Sequence, residues 1–254
     1  MVILGREISL KSKIHIECLI SELSRKVDFY LASKECSSHG YLDSSDIRCY
    51  KVYLSTSFAN PLIFEANAIH ELLHASQLDR KYPQVYNKNS PMLQSQDRGF
   101  VEEIGSHISS FALDYDVNQW LRSNGYEEAV NHFTERNYSG MMKNSGVKYL
   151  NWKDKYNFAN LAISFASVIA YADNKQTEAF ITAYSAYRQI VDVAIEIKDI
   201  LNRIGSDTPL KANCIACMII DKLNLWDIHY VVFDSLKIKT AKQSQEFLKR
   251  HIPG

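Results

Sequence analysis

Cys49-Tyr-Lys-Val-Tyr-Leu-Ser-Thr-Ser-Phe58, followed almost at once by Asn60-Pro-Leu-Ile-Phe-Glu-Ala-Asn-Ala-Ile-His-Glu-Leu-Leu-His74, changes its apolar period from two to that of a helix. In the first run Tyr50, Val52, Leu54, Thr56 and Phe58 share one face and Lys51, Tyr53, Ser55 and Ser57 the other. That alternation predicts a strand with one wetter side. Asn60 can accept a bond from the free N–H groups of a first helical turn, and Pro61 has its φ preset for the first helical position. A helix is therefore expected from Pro61 through Ile63, Phe64, Ile69, Leu72, Leu73 and Leu78 to about Arg80.

Upstream, Ile16, Leu19, Ile20, Leu23, Val27 and Leu31 fall on one side of a helix expected over about residues 12–32, and a polar, turn-rich stretch follows to Asp46. Downstream, residues 83–99 read as a polar loop ending at Asp97, a cap for a helix that carries Phe100, Val101, Ile104, Ile108, Phe111 and Tyr115 and stops near Asn124-Gly125. The run from Phe158 to Ala172 is too short to span a bilayer, is interrupted by Asn160, Ser164 and Ser167, and reads as a buried core helix. From Phe180 through Tyr184, Tyr187, Val191 and Ala194 to Ile204 the apolar residues repeat at three and four until Gly205 closes the helix, and Thr208-Pro209 opens another. Residues 228–233 fit either a strand or a buried helical turn. The expected class is α+β and predominantly helical, with a lobe over 1–140 and a helical lobe over 141–254 in one compact unit.

Composition narrows the function. With 254 residues, 46% of them hydrophobic and 23% charged, the chain has the makeup of a globular protein with ample core. Lys+Arg 29 balance Asp+Glu 29, so no global field draws nucleic acid or anionic lipid. The 15 Tyr and 11 Phe have no basic stripe between them and read as core. Nine Gly and five Pro are too few for a turn-rich all-β chain. The first residues lack a charged region followed by a long apolar run, so no secretory signal is expected. Five cysteines, an odd number, argue against a disulfide scaffold and for a reducing compartment. The expected location is the cytoplasm, or outside by a route that needs no N-terminal signal, as for a secreted effector. Cys214 and Cys217 fall inside the helix that begins at Pro209 and read as two small core residues. Lys237–Arg250 reads as a solvated helix face.

His70-Glu71-Leu-Leu-His74 is an HExxH arrangement in the middle of a capped helix. Positions i and i+4 lie about 40° apart around a helix, so both imidazoles leave one face and can grip one cation. Glu71 lies about 100° round from His70, placed to take a proton from a metal-bound water without being a ligand. Nitrogen ligands with a coordination position left for water suit Zn2+. A catalytic zinc needs a third protein ligand, and the helix beginning near Phe100 offers Glu102, Glu103 and His107. Glu103 is the first choice, with His107 one turn on orienting a ligand; Glu102 comes second and His107 itself third. The small residues Gly105 and Ser106 would let that helix approach the metal helix closely.

The strand, the HELLH helix and a following helix that offers Glu resemble the zincin metalloproteases of the gluzincin branch, over roughly residues 49–124. The phrase His70-Glu-Leu-Leu-His-Ala75 is also similar to bacterial effector metallopeptidases. The resemblance implies a zincin-like core, His70, His74 and Glu103 as zinc ligands, Glu71 as general base, and peptide-bond hydrolysis of a protein or peptide substrate. It also implies that the strand ahead of the metal helix is a sheet edge on which extended substrate pairs. Two departures stand out. The acidic residue four places beyond the third ligand is replaced by His107 (or by Ser106, if Glu102 is the ligand), and Gln77 and Arg80 occupy the places of the Gly and His of the metzincin extension. An oxyanion donor could come from Tyr184, Tyr187, His229 or Tyr230, although core roles suit each of them better. The competing expectation is a non-catalytic helical binding module, a degenerate metalloprotease with a structural metal or none.

Overall fold

Local chemistry fixes the element ends. The structure of the chain, a computed structural model, describes residues 1–33, 40–55, 60–88, 95–146, 148–149 and 151–252, with backbone alone over 95–100. Two short strands, β1 (Val2–Ile3) and β2 (Arg6–Glu7), pair around Leu4 and Gly5, both at positive φ. The elements then run α1 (Leu10–Glu22), β3 (Lys26–Leu31), β4 (Gly40–Asp43), β5 (Cys49–Leu54), α2 (Pro61–Asp79), β6 (Gln84–Asn87), α3 (Ser95–Ser123) and α4 (Glu127–Lys143). They continue through α5 (Lys155–Ile169), α6 (Asn174–Ala183), α7 (Arg188–Ile204), α8 (Pro209–Lys222), β7 (His229–Phe233), β8 (Leu236–Ile238) and α9 (Ala241–His251). Helix accounts for 62% of the described residues, beside small sheets, so the class is α+β.

Two compact units emerge, each discontinuous in sequence: residues 1–81 with 117–132, and residues 82–116 with 133–254. A cut at 140/141 follows neither of them, because α3 and α4 each begin in one unit and finish in the other.

In the first unit, β3 and β4 flank β5, parallel on one side and antiparallel on the other. The strand alternation shows directly: Tyr50, Val52 and Leu54 are fully buried while Lys51 and Tyr53 are half-exposed. On the outer face Tyr30, Tyr53 and Tyr41 stack one per strand, at 5.2 Å and 4.5 Å between centroids. The inner face meets α2, where the Tyr50 hydroxyl donates to Asp79 over 2.6 Å. Burial, aided by that carboxylate, pushes the Tyr50 phenol up to about 12. α2 starts as its sequence dictates, with the Asn60 side chain accepting from the Leu62 N–H and Pro61 at the first helical position.

Two expectations change here. The helix expected over residues 12–32 is a helix and a strand. It stops at Leu23 because the Ser24 N–H and hydroxyl both bond to Asp79 at the far end of α2, and the chain resumes as β3. β5 is the central strand of its sheet, hydrogen-bonded on both sides, so it has no free edge for substrate backbone. Its expected extension over 56–58 lies outside the described residues.

In the second unit α5, α7 and α8 bury Phe165, Val191, Ala194, Ile215 and Ile219 against one another, with Ile104 and Ile108 of α3 in the same core. β6, β7 and β8 form an antiparallel sheet, which settles residues 229–233 as a strand and places a strand at 84–87 inside the expected loop. The helix expected from Phe180 to Ile204 is broken over Ser185–Tyr187, where tertiary bonds take over. The Tyr184 hydroxyl donates to the Met141 carbonyl and the Tyr149 N–H donates to the Tyr187 hydroxyl. Gly205, at φ 71°, ends α7, and Thr208 caps α8, both as read from the sequence. Among the described residues no helix is long and apolar enough to cross a membrane.

Candidate metal centre

Apolar on nearly every side, α2 is a buried helix, and its polar residues are therefore conspicuous: Glu65, Asn67, Glu71 and Gln77 are all buried within it. Glu65 is accounted for by its partners. Its carboxylate accepts from the Ser9 N–H at 2.8 Å, the Ser9 hydroxyl at 2.7 Å and the Ser12 hydroxyl at 2.6 Å, at the start of α1. The Ser12 hydroxyl also meets the Tyr126 hydroxyl at 3.0 Å, and that hydroxyl meets His15 Nδ1 at 3.0 Å. This chain of bonds fastens α2 to α1 one turn ahead of His70.

His70 and His74 are half-buried, and their Nε2 atoms stand 3.0 Å apart, with ring centroids 4.6 Å apart and planes at 79°. Two nitrogens held about 2.0–2.1 Å from a tetrahedral zinc lie about 3.3 Å from each other. The pair is thus within a few tenths of an ångström of a zinc-binding spacing. On its other side, His74 Nδ1 is 2.9 Å from Gln77 Oε1, an amide only 2% exposed. Glu71, between the two histidines in sequence, is 6% exposed.

Within the first unit, the two imidazoles of α2 are the nitrogen donors that converge.

Glu103, expected as the third ligand, belongs to the second unit and is exposed, with its carboxylate 3.9 Å from His107 Nε2. His107 in turn places Nδ1 2.8 Å from the Asn160 Oδ1 of α5. Glu102 is exposed as well. The small residue expected to ease α3 onto the metal helix has a different neighbour. A Cβ on Gly105 would stand 3.1 Å from Asn87 Oδ1 and 3.3 Å from His229 Cε1, so the close approach is to β6 and β7. Sequence reasoning passed over the contact of Gln77 with His74, which was open to discovery because Gln77 lies three places beyond His74 on the neighbouring turn of the same helix.

Two of the expected oxyanion donors and both cysteines of α8 lie in the core. Tyr184 is fully buried with its hydroxyl engaged, and His229 is fully buried, its imidazole pushed down to about 4 by that burial. Burial also raises the Cys214 thiol to about 11 and the Cys217 thiol further, so both are inert protonated residues of α8. Compared with protein families, with curated proteins and with solved structures, the chain finds no match.

Proposed function

We propose that the chain is a zinc-dependent metallopeptidase, with His70 and His74 as zinc ligands and Glu71 as general base. The observation that carries this reading is the 3.0 Å convergence of two imidazole Nε2 atoms on a capped helix. Two nitrogens at that spacing suit zinc, with a carboxylate as third ligand and a fourth position for water or a substrate carbonyl. Zinc bound there supplies Lewis acidity and a water acidified towards a pKa of about 7. The chain's own part is to hold the two rings in register, to place Glu71 beside them and to receive a proton on its carboxylate. A protein or peptide is the substrate class that accords with the HELLH motif.

The burial of Glu71 favours a second reading, a structural metal in a binding module, because a general base must reach water. One substitution separates the two. In the peptidase, Glu71→Gln keeps bound zinc and lowers peptide cleavage by about 10²–10⁴-fold, measured on a peptide library beside wild type. If wild type with stoichiometric zinc cleaves nothing and Glu71→Gln changes only the melting temperature, the structural reading holds instead.

A further inference from the structure

The two facing Nε2 atoms cannot both carry a proton. At 3.0 Å one of them donates and the other accepts, and which does so depends on what each ring bonds with its other nitrogen. For His74 that partner is Gln77 Oε1, 2.9 Å from Nδ1. A carbonyl oxygen only accepts, so His74 bears its proton on Nδ1 and turns an unprotonated Nε2 towards His70. Gln77 sits three residues on in the same helix and is almost fully buried.

We infer that Gln77 is a positioning residue that sets the tautomer and ring orientation of His74, presenting its Nε2 lone pair for a divalent cation. The inference about the tautomer stands on the hydrogen bond alone; its consequence for the cation rests on the metal reading above. Gln77 therefore serves as an outer partner to the ligand, supplied from within the metal helix itself. Its donor-free carbonyl side is what the role requires, so glutamate can replace it and leucine cannot.

The test uses the full chain, metal-free, with long-range proton–nitrogen NMR at mildly alkaline pH, followed by titration with Zn2+. Wild type is expected to show His74 protonated on Nδ1 and not on Nε2. Gln77→Leu is expected to lose that preference and to weaken zinc binding by about 10–100-fold. Gln77→Glu is expected to keep the Nδ1 proton and bind zinc at least as well as wild type. A wild-type spectrum with the proton on Nε2 overturns the inference, because the amide is then donating through its nitrogen. So does a Gln77→Leu variant unchanged in both tautomer and affinity. If Gln77→Leu does not fold, the wild-type and Gln77→Glu spectra still decide. If wild type binds no zinc, the metal reading falls while the spectrum continues to judge Gln77.

Discussion

Glu65 and the histidine pair illustrate two uses of polarity inside one buried helix. Glu65 has its acceptor capacity taken up by two serines, so it acts as a rivet between α2 and α1 and is unavailable for chemistry. Replacing it with leucine takes that acceptor from the Ser9 N–H, the Ser9 hydroxyl and the buried Ser12 hydroxyl. Glu65→Leu is expected to lower stability by about 3 kcal/mol in urea unfolding, and a loss under about 0.5 kcal/mol would contradict the rivet. His70 and His74 instead meet each other nitrogen to nitrogen, an arrangement that a shared proton or a shared cation can satisfy. Their convergence was legible from the spacing alone, whereas the bond of His74 to Gln77 is a matter of side-chain geometry that spacing does not report.

At the scale of elements, the signals that proved readable are those whose physics is local. Asn60-Pro61, Thr208-Pro209 and Gly205 mark helix ends by hydrogen bonds and φ preferences that need no tertiary partner, and all three act where expected. Asn60→Ala is expected to cost about 1 kcal/mol, seen as a lower urea midpoint, since the Leu62 N–H then loses its acceptor. An unchanged midpoint would remove the cap from the account of how α2 is placed. What went unread depends on distant partners. Val27 and Leu31 continue the helical spacing of α1, and only the bonds of Ser24 to Asp79 and the parallel ladder with β5 turn that segment into a strand. β6 is four residues long and pairs with β7, far along the chain, so the loop reading had nothing nearby to oppose it. The central place of β5 is likewise a fact of topology; alternation alone cannot tell an inner strand from an edge.

For the molecule as a whole, the second unit carries a pH dependence that its sequence does not announce. His229 is fully buried under Gly105 of α3, and burial is the main cause of its fall from an ordinary 6.5 to about 4. The Tyr86 carbonyl and Asp227 oppose that fall, while Lys88 and Lys155 add to it. In the unfolded chain this histidine takes a proton near 6.5, and in the folded unit only near 4. Between those values the unfolded state binds more protons, so stability declines as pH falls through this window, by about 1.4 kcal/mol per pH unit. Above 6.5 the group costs nothing, and below 4 its contribution no longer changes. Urea midpoints measured across the window should fall less steeply for His229→Gln than for wild type. Equal slopes would mean that His229 is not the group that titrates.

The pairing of His70 with His74 is the claim on which the functional reading turns, and calorimetric titration of the metal-free chain with Zn2+ tests it most directly. The account predicts saturable binding of a single zinc per chain to wild type and loss of that binding in His70→Ala and in His74→Ala. Absence of saturable binding in wild type, or undiminished affinity after either histidine is removed, would contradict it.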